Sequence, residues 1–275
     1  FRLGIDLGGT KIEAVIIDEQ FQVVKRKRVP TNREEGYEAI IETIISLSKS
    51  MIDGYEEFEG PIGICTPGTI EAETGLLKNS NTVCLIGKPI QKDMESDLGI
   101  PVLMENDANC FALAEATLGA AKKYNVVFGV ILGTGCGGGI TMLKNIHRGA
   151  NRIAGEWGHH CLHPGGRDCY CGNKGCVEAY ISGTALEKEW YEITGEKHRV
   201  TDIIDSGMHK DHPQWKANFL TNFGRALANV IDILDPHAIV LGGGLSKIDF
   251  LYSEGKDSVY RLSLIHISEP TRRDQ

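Results

Sequence analysis

Between Glu156 and Glu178 the chain reads Glu-Trp-Gly-His-His, then a loop, then Cys-Tyr-Cys-Gly-Asn-Lys-Gly-Cys-Val-Glu. Cys169, Cys171 and Cys176 with His159 make a Cys₃His set. Such a set fills the four tetrahedral positions of Zn²⁺ and leaves none for water, so the site it predicts is structural rather than hydrolytic. It staples a loop too short and Gly-rich to hold itself by apolar burial. A disulfide framework is the competing use of the three cysteines. The other five (Cys65, Cys84, Cys110, Cys136 and Cys161) are scattered among apolar or Gly-rich neighbours, which suits reduced thiols in a cytosolic protein. His159, His160 and His163 all lie within reach, and spacing does not choose among them. A folded zinc loop brings the flanking carboxylates, Glu156 and Glu178, to one place.

Two Gly-Thr hairpins form a second constellation. The strand run of residues 2–7 opens into Gly8-Gly9-Thr10-Lys11 and a further strand run, Ile12 to Ile17. The tip of such a hairpin offers backbone N–H groups and a hydroxyl to a phosphate. A plain hairpin turn is the alternative, and the Walker A spacing is missing. Asp6, leading into the turn, suits Mg²⁺ held through water. Residues 126–132 repeat the pattern, running into Gly133-Thr134-Gly135-Cys136-Gly137-Gly138-Gly139 and a strand run from Ile140. We read this as an internal duplication with two phosphate loops. A third strand, Ala238–Leu241, ends in Gly242-Gly243-Gly244, where backbone can approach an adenine and ribose.

The third candidate is Asp107 in Glu-Asn-Asp-Ala-Asn, between a strand (Val102–Met104) and an Ala-rich helix pattern (Cys110–Leu118). Asp is a preferred helix N-cap. Its functional reading is a general base that takes the proton of an attacking sugar hydroxyl, with Asn106 fixing a neighbouring hydroxyl. Residues 78–82, rich in neutral hydrogen-bonding side chains, suit sugar hydroxyls or a surface turn.

The elements that position these groups are legible as patterns. Phe21–Val29 completes a meander, and Ile40, Ile41, Ile44, Ile45 and Leu47 stripe a helix over about 34–51. Residues 61–66 form a buried strand ending at Pro67-Gly68-Thr69. Helices are expected over 185–192 and 215–234, the second with Phe219, Phe223, Leu227, Val230 and Leu234 on one face.

Composition narrows the class. The chain has 275 residues, 41% apolar and 24% charged, as expected of a soluble globular protein of one or two domains. A net charge of −8 argues against a nucleic-acid partner. The single basic run, Lys25–Arg28, lies in a strand pattern and reads as its solvated face. No apolar run is long enough to span a membrane, and no signal peptide precedes the first strand, so a cytoplasmic location is expected.

Taken together and in order, these motifs resemble the ROK family (repressor, open reading frame, kinase). They are Gly-Gly-Thr-Lys, Glu-Asn-Asp-Ala-Asn, Gly-Thr-Gly-Cys-Gly-Gly-Gly, Gly-Glu-Trp-Gly-His, the cysteine cluster and Asp-Pro-x-x-Ile-Val-Leu-Gly-Gly-Gly. The resemblance runs to about Arg261 and is nearest to the fructokinase, glucokinase and N-acetylglucosamine kinase branch. It implies an α/β, actin-like ATPase (ribonuclease H-like) fold, with two α/β domains (residues 1–107 and 108–261) around a cleft. It implies ATP-dependent phosphorylation of a hexose, with an N-acetylglucosamine or N-acetylmannosamine kinase, or a non-catalytic sugar-sensing regulator, as alternatives. Carried over by position, Gly9, Thr10, Lys11, Gly133, Thr134 and Gly135 hold ATP phosphates, and Gly242 and Gly243 approach the nucleoside. Asp107 is the base. Asn106, Glu156, His159 and Glu178 hold the sugar, with Gly68 and Asn81 near it. His159, Cys169, Cys171 and Cys176 hold zinc, the second ring nitrogen of His159 turning to a sugar hydroxyl. The implied cofactors are ATP, Mg²⁺ and Zn²⁺, and the implied partners are a small hexose and a second copy of the chain.

Two departures stand out. The winged helix-turn-helix of the repressor branch has no counterpart before the first strand, so DNA binding is not expected. Residues 262–275, Leu-Ser-Leu-Ile-His-Ile-Ser-Glu-Pro-Thr-Arg-Arg-Asp-Gln, do not resemble the family and are read as a non-native tail on a truncated chain.

Overall fold

The structure, a computed structural model, describes residues 1–55, 58, 60–80 and 82–264. The chain divides into two compact units, Phe1–Cys110 and Phe111–Gln275.

In the first unit, β1 (Arg2–Leu7), β2 (Lys11–Ile17) and β3 (Val23–Pro30) form an antiparallel meander. Alternation places Leu3, Ile5, Leu7, Ile12, Ala14 and Ile16 on one buried face. The apolar stripe of α1 (Tyr37–Ile52) shares that core through Ile40, Ile41, Ile44 and Leu47. Next come β4 (Ile62–Thr66), a small hairpin of β5 (Thr69–Ile70) and β6 (Leu77–Lys78), α2 (Ile90–Leu98) and β7 (Val102–Asn106). The sheet order is β3-β2-β1-β4-β7, with β1, β4 and β7 parallel. The basic run lies on the edge strand β3, where Arg26 and Arg28 pair with Glu13 of β2. Charges there keep an exposed sheet edge from pairing with other chains.

α3 (Asp107–Thr117) runs across the boundary between the units. The second unit then builds β8 (Val126–Leu132), β9 (Cys136–Met142) and β10 (Asn145–Ile146) as another antiparallel meander. After the cysteine loop come α4 (Glu178–Ile181), α5 (Gly183–Thr194), α6 (Val200–Asp205), α7 (Pro213–Leu234), β11 (Ala238–Gly242) and α8 (Glu254–Leu262). The sheet order is β10-β9-β8-β11, with β11 parallel to β8. A meander followed by a strand parallel to its first member therefore occurs in both units. The core of the second unit is aromatic: Phe128, Trp157, Trp190, Trp215, Phe219 and Phe223 are buried in one cluster.

Several boundaries differ from expectation. Gly137, Gly138 and Gly139 belong to β9 rather than to a turn, because Gly138 fits beneath Trp157. A Cβ there would stand 2.6 Å from the indole and 2.7 Å from the Gly155 carbonyl. α3 begins at Asp107, three residues before the expected start. Leu262 ends α8, and Ser263 is buried, its N–H donating to the Val259 carbonyl at 3.0 Å. Residues 265–275 of the expected tail, and Asn81, lie outside the described residues.

Candidate functional site

In the first unit the parallel strands deliver their chemistry at their C-terminal ends, as open α/β sheets do. The register aligns Asp6 of β1 with Cys65 of β4, and Cys65 with Glu105 of β7. The Cys65 thiol donates to Asp6 Oδ1 at 3.4 Å. Its bond with the Cys110 thiol, burial and the Asp6 charge push it far above the usual thiol range, so it stays a neutral donor. The Gly8–Thr10 turn is pinned from outside: the buried Thr31 hydroxyl donates to the Gly8 carbonyl at 2.6 Å, and the Thr31 N–H donates to the Thr10 carbonyl at 3.1 Å.

Asn106 is the capping side chain of α3. Its Oδ1 accepts from the N–H of Ala108 at 2.9 Å and of Asn109 at 3.3 Å, and its Nδ2 donates to the Gly68 carbonyl at 3.2 Å. Gly68 has φ of +96°, and a Cβ would stand 2.5 Å from the Lys78 carbonyl oxygen, so only glycine lets this turn come so close. Asp107 is the first residue of the helix, and its Oδ1 accepts from the Ala108 N–H at 2.8 Å. Burial pushes its carboxyl up; the Ala108 N–H works against that, and the Asp6 charge adds to it.

In the second unit, the ligand atoms of His159, Cys169, Cys171 and Cys176 all lie within 4.8 Å of one another. Cys169 Sγ is 3.6 Å from His159 Nδ1, and Cys171 Sγ is 3.7 Å from Cys176 Sγ. A tetrahedral ion with metal–sulfur bonds of about 2.3 Å and a metal–nitrogen bond of about 2.0 Å has edges of about 3.8 and about 3.5 Å. Both separations match, so the donor set fits such an ion. Burial, with bonds from the Cys171 and Cys169 thiols, pushes the Cys176 thiol up to about 12. A dication would supply the field needed to deprotonate it.

The choice among histidines, open in the sequence, is made by geometry. His160 places Nδ1 on the Trp157 carbonyl at 2.7 Å and Nε2 on Asn229 at 3.2 Å; His163 places Nε2 on Asn222 at 2.7 Å and Nδ1 on Arg225 at 3.3 Å. The other ring nitrogen of His159, Nε2, lies 3.0 Å from the Tyr170 hydroxyl.

Glu156 directly precedes the 3₁₀ turn Trp157–His159. Glu178 opens α4 two residues after Cys176, and its carboxylate accepts the Cys136 N–H at 2.8 Å. The Gly133–Gly135 turn leaves β8, and Gly242-Gly243 leaves the parallel strand β11 beside it. Thr31, Cys65, Tyr170 and Thr184 were missed by sequence reasoning, since none belongs to a spacing pattern of its own.

The ROK family profile matches residues 2–265. The N-acetyl-D-glucosamine kinase of Vibrio cholerae serotype O1 is 38% identical over 263 residues, covering 91% of this chain and 86% of the relative. Among solved structures, the ROK hexokinase from Thermus thermophilus superposes with a TM-score of 0.84 at 31% identity, over 95% of this chain and 88% of that one. A ROK family glucokinase from Streptomyces griseus in complex with glucose and AMPPNP gives a TM-score of 0.79 at 28% identity, over 95% and 89%. The fold is the α/β actin-like ATPase fold of ROK kinases, and the chain belongs to the ROK family.

Proposed function

We propose that this chain phosphorylates a hexose with ATP, and that its preferred substrate is N-acetyl-D-glucosamine. The observation that carries the substrate is the 38% identity to an N-acetyl-D-glucosamine kinase over 91% of the chain. Similarity to a glucokinase, at 28% identity, supports glucose as the second reading.

Asp107 is the general base. It accepts the proton of the attacking sugar hydroxyl as in-line transfer from the γ-phosphate proceeds. A carboxyl pushed up by burial is a better proton acceptor than an ordinary one. Asn106, Glu156, His159 and Glu178 orient the sugar, with Gly68 and Asn81 nearby. Gly8, Gly9, Thr10 and Lys11, and Gly133, Thr134 and Gly135, offer donors to the ATP phosphates; Gly242 and Gly243 approach the nucleoside. Asp6, steadied by the Cys65 thiol, would hold Mg²⁺ through water, and Mg²⁺ when bound offsets phosphate charge.

The donor geometry of His159, Cys169, Cys171 and Cys176 supports zinc as a closed structural ion. Fixed at Nδ1, the His159 ring has one orientation, which directs Nε2 toward a hydroxyl partner. Among the described residues no helix is long and apolar enough to cross a membrane, which is compatible with a cytoplasmic location.

The test is a coupled ADP-release assay over N-acetylglucosamine, N-acetylmannosamine, glucose, mannose and fructose. The highest kcat/KM is expected with N-acetylglucosamine. A higher value with glucose replaces the substrate assignment, and sugar binding without ADP release with any of the five makes the chain a sensor instead.

A further inference from the structure

The turn between β8 and β9 is held by the segment that follows the metal loop. The Gly183 N–H donates to the Gly133 carbonyl at 2.7 Å, and the Thr184 hydroxyl donates to the Thr134 carbonyl at 3.0 Å. Glu178 accepts the Cys136 N–H at 2.8 Å. The turn and Glu178 are closely packed at position 135, where a Cβ would stand 2.8 Å from the Glu178 carboxylate.

A trans peptide is planar, with its C=O and N–H on opposite sides, and the described residues include no cis peptide bond. Anchoring the Gly133 carbonyl toward α5 therefore turns the Thr134 N–H away from α5. Anchoring the Thr134 carbonyl likewise turns the Gly135 N–H away. Two consecutive N–H groups then face the same side, where both can be offered to one anion.

We infer that Thr184 is a positioning residue for the nucleotide: its hydroxyl sets the Thr134–Gly135 peptide so that the Gly135 N–H is presented to a phosphate. The inference rests on the kinase reading. Thr184 touches no reacting atom in this scheme and acts only through the turn. Because Glu178 stands two residues after Cys176, the metal loop and the turn are also joined through a short stretch of chain.

The experiment measures binding of N-methylanthraniloyl-ADP with Mg²⁺, in the absence of sugar, to the full chain and to Thr184→Val and Thr184→Ser. Thr184 is exposed, so a near-isosteric valine is tolerated, and a thermal melt verifies it. Loss of one hydrogen bond predicts roughly fivefold weaker nucleotide binding for Thr184→Val. Thr184→Ser, which keeps the hydroxyl, should restore it. In turnover, KM for ATP should rise in Thr184→Val while KM for the sugar stays put. Unchanged nucleotide affinity in Thr184→Val overturns the inference and leaves the kinase reading standing. So does an equal loss in the serine variant, which would trace the effect to packing. If the unsubstituted chain binds no adenine nucleotide, the kinase reading falls and this inference falls with it.

Discussion

The Tyr170 hydroxyl sits 3.0 Å from Nε2 of His159, on the ring atom that does not face the thiols. The two rings meet edge to face, 5.2 Å apart and at 85°. If Nδ1 binds a metal ion, the remaining ring proton sits on Nε2, and His159 is then the donor and Tyr170 the acceptor. Tyr170 is 81% exposed, so little packing opposes its swinging aside.

If Nε2 is the atom that meets the sugar, Tyr170 competes for it. Tyr170→Phe removes the competing oxygen and should lower KM for the sugar roughly two- to tenfold. Metal content should be unchanged, since the ring contributes no donor to the ion. Steady-state kinetics with elemental analysis measures both, and an unaltered KM would take Nε2 out of the sugar contact.

Removing the proposed base separates chemistry from binding. Asp107→Ala should reduce kcat by about 10²- to 10⁴-fold while calorimetry still detects sugar binding. A variant that turns over normally would exclude Asp107 from proton transfer.

The raised Asp107 carboxyl has consequences for pH. If Asp107 is the base, turnover needs it ionised, and the acid limb of the rate profile should lie above the ordinary carboxylate value of about 3.9. Stability runs the other way. A carboxyl whose folded pKa is raised favours the fold while it is protonated, and that contribution is lost as pH rises through the folded value. Asp107→Asn keeps the oxygen that accepts from Ala108 but carries no charge. It should melt higher than the unsubstituted chain at pH 8, with the gap closing toward pH 4, as thermal denaturation across that range would record.

The metal loop makes a prediction for stability. If His159, Cys169, Cys171 and Cys176 hold zinc, Cys171→Ser removes one of four donors and should abolish stoichiometric zinc in the purified protein. The cost should be on the order of 3 kcal/mol, or roughly 6–12 °C in melting temperature for a unit of this size. Full zinc retention with an unchanged melt would mean that Cys171 is not a ligand.

What could be seen in the sequence follows a physical division. β1, β2, β8 and the stripe of α7 were legible because alternation and helical periodicity are local. The three cysteines were legible because their spacing is short. Spacing did not choose among His159, His160 and His163, which differ in what their rings meet after folding; the family resemblance pointed to His159, the ring that the structure groups with the three thiols. Gly137–Gly139 read as a turn by composition, yet pairing with β8 and packing beneath Trp157 make them strand. Thr31, Cys65 and Thr184 left no trace because their partners are remote: Gly8 lies 23 residues from Thr31, Asp6 lies 59 from Cys65, and Thr134 lies 50 from Thr184. A threonine or cysteine carries no sign of a partner that far along the chain.

The last strand of the second sheet arrives late. His237 bonds to Val126, 111 positions away along the chain, and β8, buried along most of its length, has no parallel neighbour until β11 is made. During synthesis β8 therefore has one edge of backbone N–H and C=O groups unpaired until β11 has been made, long after the first sheet has all its strands. Long-range pairing of this kind folds slowly and exposes the nascent chain to aggregation. Slow, cool expression should favour intact protein, and damage to β11 should reduce yield before it reduces activity.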